Sequence, residues 1–288
     1  MPEKPSPIEG RGLGEGTVRL TLQSAARALA AVTDTPRLDA ELLMAHALGV
    51  DRNALLLQHL NDTAPDAFSA LVARRLAHEP LAYITGTRDF WTISLQVSPA
   101  VLIPRPDSET LIDAAIKHFG GRTPKTVLDL GTGSGALLLA ALSHWPDAVG
   151  IGVDASDAAL AIAQSNADAL GLSARAQILK GDWTDGLRGL FDLILCNPPY
   201  VETDARLTPE VMNEPTEALF AGADGLDDYR RLAPSLARLL TPNGCAAVEI
   251  GATQASKAGA LFAEVGLSIS VRQDLGRRDR CLLLTRPC

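Results

Sequence analysis

From residue 126 to residue 284, short apolar runs of strand length alternate with longer stretches of helical period, and that alternation limits the chain to very few folds. Strands are expected at 126–130, 149–153, 176–179, 191–196 and 245–250, with helices at 135–145, 155–170, 226–240 and 253–265. Two further strands, 267–271 and 280–284, can pair with each other at the end. Parallel neighbours need a crossover, and helices of this length supply one. The pattern therefore predicts an α/β fold, a doubly wound and mostly parallel sheet of seven strands with helices on both faces. Such sheets bind ligands where the carboxyl ends of the strands meet a reversal of strand order.

Upstream the period is different. Leu20, Leu22, Ala25, Ala26, Leu29 and Val32 recur at helical spacing, and Leu38, Leu42, Leu43, Ala45, Ala47 and Leu48 do so again before Gly49. Asp51 can cap a short helix carrying Leu55, Leu56 and Leu57, and Pro65 can open another with Phe68, Leu71, Val72 and Leu76 on one face. These segments predict a small N-terminal helical domain over 17–86, preceded by a flexible tail over 1–16 rich in Pro, Gly and charge. Ile93, Leu95 and Val97 then alternate with polar residues as a strand, Ser98-Pro99 turns the chain, and 101–103 runs back. That hairpin is the expected linker, over 87–105, to the main domain at 106–288.

Bulk properties narrow the function. Hydrophobic residues make up 47% and charged residues 21%, as in globular proteins. There are 26 basic and 34 acidic side chains, a net charge of −8, which repels a phosphate backbone unless basic groups cluster on one face. Nucleic-acid binding is accordingly not expected. Cys196, Cys245, Cys281 and Cys288 form no C-x-x-C pair, and neither they nor the scattered His46, His59, His78, His118 and His144 suggest a metal site. Residues 1–16 lack the apolar segment of a secretory signal, and the longest apolar run, 136–142, is too short to span a bilayer. A cytoplasmic protein with no membrane partner is expected, working as a monomer.

Two motifs carry chemistry. Asp129-Leu130-Gly131-Thr132-Gly133-Ser134-Gly135 follows a strand and opens a helix, so its glycines allow a tight turn and close approach of a ligand to backbone N–H groups. Nicotinamide and flavin binders share such a turn, and a turn that merely packs helix on sheet would look alike. Asp154 ends the next strand, where a carboxylate can accept hydrogen bonds from both ribose hydroxyls, although it could also cap the following helix. Asp182-Trp183 after the third strand could place a carboxylate and an indole beside adenine, with burial in the core as the plain alternative for Trp183. Together these residues outline a nucleoside pocket.

The second motif, Asn197-Pro198-Pro199-Tyr200, directly follows an apolar strand. Its prolines remove backbone donors and fix the turn, so the Asn197 carboxamide and the Pro198 carbonyl can both accept from an incoming NH2 group. That geometry aims the nitrogen lone pair at the electrophilic methyl of a sulfonium donor, and Tyr200 can stack on the planar group bearing the nitrogen. Positioning supplies the catalysis, and no strong base is needed if the proton leaves after transfer. Cys196 has no base near it in sequence and is expected to be inert packing.

With these residues in view, the chain resembles the release-factor glutamine methyltransferases. The resemblance runs through 79–86, 101–109, 129–135, 181–183, 197–200, 214–215, 218–219, 224–226 and 249–251. The N-P-P-Y element is shared with DNA adenine and ribosomal RNA methyltransferases; Val101-Leu102-Ile103-Pro104-Arg105-Pro106 and the helical domain narrow the match. The resemblance implies S-adenosylmethionine, converted to S-adenosylhomocysteine, held by Gly131, Thr132, Gly133, Ser134, Gly135, Asp154, Trp183 and Asn197. It implies glutamine N5 of the Gly-Gly-Gln loop of class 1 peptide chain release factors as the acceptor, held by Asn197, Pro198, Pro199 and Tyr200, with the helical domain helping to grip the partner. The family often carries Thr at the place of Ser108. Roles for Arg105 and Glu109 do not follow from the sequence, and 277–280 reads as a solvated turn.

Three rival functions use parts of the same sequence. A nucleic-acid methyltransferase acting on an exocyclic adenine or guanine amine needs a basic groove. A nicotinamide-dependent reductase leaves Asn197 to Tyr200 unused, and no Tyr-x-x-x-Lys occurs. A silent nucleoside-binding module would bind without turnover.

Overall fold

The computed structural model describes residues 16–287, so the tail expected over 1–16 lies, apart from Gly16, outside the described residues. The chain divides after Gly86 into two compact units.

The first unit holds α1 (Val18–Leu29), α2 (Pro36–Leu48), α3 (Arg52–Gln58), α4 (Ala67–Leu76) and α5 (Leu81–Thr85). Asp51 caps α3 by accepting from Ala54 N at 2.8 Å, which satisfies a backbone donor that the helix start leaves without a partner. Leu22, Leu29, Leu43, Met44, Leu55, Phe68 and Val72 meet in one apolar cluster. An ion pair is buried beside it. Arg75 Nε donates to Asp39 Oδ2 at 2.8 Å, and each side chain is only 4% exposed.

The second unit begins with a hairpin, but not the one expected. Its strands are β1 (Thr87–Phe90) and β2 (Ile93–Gln96), paired antiparallel, and 101–103 forms no strand. In β1 only Phe90 is buried, so the strand carries almost no alternating signal. Val101 and Ile103 are buried as an irregular segment, and Ile103 N donates to the Glu214 carboxylate at 3.1 Å in place of a strand partner. A helix that the alternation did not disclose, α6 (Glu109–Phe119), follows a single 3-10 turn at Pro106–Ser108.

Beyond it come β3 (Thr126–Leu130), α7 (Ala136–His144), β4 (Val149–Asp154), α8 (Asp157–Ala169), β5 (Ala176–Lys180) and β6 (Phe191–Cys196). The chain ends with α9 (Asp227–Leu239), β7 (Leu240–Glu249), α10 (Ala255–Glu264), β8 (Ser268–Gln273) and β9 (Asp279–Thr285). The expected seven-stranded sheet is present, in the order β5-β4-β3-β6-β7-β9-β8. All pairs from β5 to β7 are parallel, and β9 runs antiparallel to both β7 and β8. Successive residues of a strand face opposite sides. Leu193 and Leu195 therefore pack with α6 and α7, while Ile194 and Cys196 pack with α9 and α10. The central strands are thus covered on both faces, as in a mostly parallel sheet.

The basic run at 277–280 is not a solvated turn throughout. Arg280 lies in β9 and is buried, donating to Ile250 O at 3.2 Å and pairing with Asp107 at 3.2 Å. Among the described residues no helix is long and apolar enough to cross a membrane.

Candidate active site

The strand order reverses between β3 and β6. From β3 the chain steps outward to β4 and β5, then returns to β6 on the other side of β3. The two carboxyl ends at that point lead into Gly131 and Asn197, and both line one cleft of about 880 Å³.

The glycine turn is held by its own backbone and by two carboxylates. Gly131 N and Thr132 N donate to Val153 O at 2.9 and 3.0 Å, and Gly133 N donates to Asp154 Oδ2 at 2.8 Å. Asp154 Oδ1 accepts from Ser156 N at 3.0 Å. Behind the turn, Asp129 Oδ2 accepts from Thr132 Oγ1 at 2.6 Å and from Leu138 N at 3.2 Å. Burial pushes the Asp129 carboxyl up to about 7, against the lowering effect of those two donors and with a further push from the Asp154 charge. Ser134 O accepts from Asn166 Nδ2 at 2.9 Å, which ties the turn to α8.

Gly131 shows why a side chain is excluded here. Its φ is +70°, and a Cβ would fall 3.2 Å from Cζ3 of Trp183. The indole therefore lies directly over the turn. Trp183 itself has φ 52°, an uncommon conformation for a bulky residue, and its Nε1 donates to Asp228 Oδ1 at 3.1 Å. Asp182 is paired with Arg231 at 2.7 Å. Asp154, Asp182 and Trp183 all line the same cleft as the turn, as do Asp228 and Arg231, which no motif had singled out.

Of the second motif, Asn197 and Pro199 line the cleft; Pro198 is buried, and Tyr200 is not among the lining residues. Asn197 Nδ2 donates to Ser108 Oγ at 3.3 Å. Tyr200 is anchored at its tip, its hydroxyl donating to Glu249 Oε1 at 3.2 Å. Burial raises the Tyr200 phenol far above its ordinary value, and the Glu249 charge adds to this, so it stays protonated. Gly225 lets the chain pass behind the motif: its φ is +67°, and a Cβ would fall 2.4 Å from Tyr200 O. Cys196 is fully buried, and burial raises its thiol well above the usual range, with the charges of Asp129, Asp228 and Glu249 pushing the same way. It has no thiolate to offer.

Arg105 and Glu109 hold the walls. Arg105 pairs with Glu214, whose side chain is fully buried and whose other oxygen accepts from Ile103 N. The segment Pro99 to Pro104 and the loop Glu214 to Ala218, which face the cleft from two sides, are thereby joined by one carboxylate. Glu109 Oε1 accepts from Trp91 N at 2.8 Å and fixes the tip of the β1–β2 hairpin.

Two family models match the chain: the PrmC N-terminal domain over residues 21–86 and the methyltransferase small domain over 108–224. The release factor glutamine methyltransferase of Caulobacter vibrioides is 43% identical over 258 residues, covering 87% of this chain and 89% of the relative. That of Moorella thermoacetica is 42% identical, covering 94% of this chain and 99% of the relative. Among solved structures, a methyltransferase from Pyrococcus furiosus superimposes with a TM-score of 0.55 at 17% identity, over 76% of this chain and 100% of that one, a likeness of fold. Near-complete coverage at such identity, across both units, means that the chain belongs to the release factor glutamine methyltransferase family.

Proposed function

We propose that this protein transfers the methyl group of S-adenosylmethionine to the side-chain amide nitrogen, N5, of the glutamine in the Gly-Gly-Gln loop of class 1 release factors. One observation carries the reading: the glycine turn and Asn197 open into the same cleft at the switch point of the sheet. The donor set fits a nucleoside bearing a positive charge. Asp154 and Asp182 offer carboxylates to hydroxyls, Trp183 offers a planar face, and Gly131, with no Cβ, lets the indole seat over the turn. Asp154, Asp182, Asp228, Glu214 and Glu217 line the cleft, against Arg231 as the single cation among the lining residues. Such a wall favours a sulfonium and disfavours a phosphate backbone. The nucleic-acid reading therefore gains nothing from this cleft.

When bound, S-adenosylmethionine supplies an electrophilic methyl group on a cationic sulfur. The work of the chain is then to orient the acceptor. Asn197 Oδ1 and the Pro198 carbonyl accept the two hydrogens of the incoming amide, which turns the nitrogen lone pair toward the methyl donor. Tyr200, fixed at its hydroxyl, holds its ring in one orientation behind the motif and is assigned the packing surface for the planar amide. The contribution is positional, with reacting atoms held roughly 3–3.5 Å apart in line. The N–C bond forms as the C–S bond breaks, and one amide proton then leaves to water, giving methylated glutamine and S-adenosylhomocysteine. Purified release factor incubated with protein and labelled S-adenosylmethionine should take up label, while ribosomal RNA and DNA should not; label on nucleic acid alone would overturn the reading.

Asp154→Ala is expected to weaken cofactor binding by about 1.5–3 kcal/mol for each charge-assisted bond lost to ribose, less what water restores. Gly133 N and Ser156 N also lose their acceptor, which loosens the turn. Calorimetry on the folded variant decides: an unchanged affinity for S-adenosylmethionine removes Asp154 from the cofactor site.

A further inference from the structure

We infer that Ser108 and Glu249 are positioning residues that hold the Asn197 carboxamide with its oxygen toward the cleft. The inference rests on the proposed reading, in which that oxygen must accept from the substrate amide. An asparagine side chain has a donor end and an acceptor end of nearly equal size, so a flip would present NH2 to NH2 and lose the acceptor. Something must fix the sense of the amide.

The sense is set by a short chain of groups behind the motif. Asn197 Nδ2 donates to Ser108 Oγ at 3.3 Å, so the Ser108 oxygen is used as an acceptor and its own proton needs a destination. Ser108 sits at the end of the 3-10 turn on the wall of the cleft, only 3% exposed. It is also close enough to the Glu249 carboxyl at the end of β7 to lower its pKa. Glu249 is 1% exposed; Oε1 accepts from Tyr200, and Oε2 has no hydrogen-bond partner among the described residues. A buried acceptor without a donor is costly, and the Ser108 hydroxyl is the donor we assign to it. An ionised carboxylate can only accept. Its polarity is therefore passed forward: Glu249 takes the Ser108 proton, Ser108 takes an Asn197 proton, and Asn197 Oδ1 is left for the cleft. Tyr200 is held by the same carboxylate, so both functional side chains of the motif are referenced to one group.

The carboxyl that sets this direction changes charge near neutral pH. Burial pushes Glu249 up to about 7, against the lowering effects of the Ser108 hydroxyl, Arg280 on β9 and Tyr200, while Asp107 on the 3-10 turn pushes it further up. Asp129 at the end of β3, also pushed up to about 7, holds the glycine turn rather than Asn197, so its change of charge is read in cofactor affinity. Burial holds the Cys196 and Cys281 thiols protonated, and the Tyr229 hydroxyl on α9 donates to the Glu249 backbone carbonyl at 2.9 Å. Once protonated, Glu249 gains a donor, Ser108 is free to turn its own proton toward Asn197, and the amide loses its fixed sense.

The experiment uses the full chain, intact release factor and S-adenosylmethionine, comparing wild type with Ser108→Ala, Ser108→Thr and Glu249→Gln. Single-turnover methylation is followed across neutral pH, and cofactor affinity is measured by calorimetry on the same samples. Ser108→Ala should slow methyl transfer roughly ten- to hundredfold, the loss of one charge-linked hydrogen bond, with cofactor affinity unchanged. Ser108→Thr keeps the hydroxyl and should keep the rate. The wild-type rate should fall as pH drops through about 7, and Glu249→Gln, which carries both a donor and an acceptor, should be slow at every pH and lack that limb. An active wild type with an unimpaired Ser108→Ala variant, a Ser108→Thr variant as slow as Ser108→Ala, or a Glu249→Gln variant that keeps the limb would overturn the inference alone. A wild type that binds cofactor yet methylates no release factor would overturn the functional reading and this inference with it.

Discussion

A release factor carrying glutamate in place of the loop glutamine is expected to be methylated about 10⁴–10⁵ times more slowly than the glutamine form, the discrimination of a site built to bond a group the analogue lacks. A carboxamide brings two N–H donors to the two acceptors assigned here, Asn197 Oδ1 and the Pro198 carbonyl. Glutamate brings none, and its oxygens would face those acceptors in a cleft already lined by Asp154, Asp182 and Asp228. Repulsion and unpaired acceptors act in the same direction. Asn197→Ala should slow the glutamine substrate for the complementary reason, because one N–H is left unpaired and the lone pair loses its aim. Single-turnover rates on the two substrates measure both effects; comparable labelling of glutamine and glutamate would refute the two-acceptor arrangement.

Arg75→Ala is expected to destabilise the first unit by about 3–5 kcal/mol, the usual consequence of leaving one partner of a buried ion pair uncompensated. Asp39 would keep the Thr35 hydroxyl at 2.8 Å but lose its only cationic partner in the described ion pairs. The Glu79 carbonyl would lose its bond from Arg75 as well. That is a large part of the roughly 5–15 kcal/mol that holds a domain folded. Replacing both Asp39 and Arg75 with apolar residues of similar size should cost much less, since the desolvation of two charges is then avoided. Hydrogen exchange along α2 and α4 in the full chain reads the effect locally. Unchanged protection in Arg75→Ala would show that the pair contributes nothing.

The sheet was legible because its central strands are buried on both faces and read as continuous apolar runs between helical segments. β3 and β6 are the clearest cases, and the motifs that follow them stand where the strand order reverses. The hairpin was not legible. β1 exposes Arg88 and Asp89 in part and buries only Phe90, whereas the apolar 101–103 looks like a strand but donates its hydrogen bond to a carboxylate 111 residues away. Helix α6 does carry Leu111, Ile112, Ala115 and Phe119 on a buried face, but Pro104 and Pro106 before it read as a stiff linker rather than a helix start. At the site, the residues in the two motifs announce themselves through local spacing. Ser108 and Glu249 do not: they meet the second motif through Asn197 and Tyr200, across separations of 89 and 49 residues that only the assembled sheet closes.

Mass spectrometry of peptides from release factor, after incubation with the protein and isotopically labelled S-adenosylmethionine, tests the central claim most directly. A single labelled methyl is expected on the side-chain nitrogen of the Gly-Gly-Gln glutamine, and unlabelled release factor when Asn197→Ala enzyme is used over the same interval. Label on a carboxylate, on a backbone nitrogen or on any other residue of the release factor would contradict it.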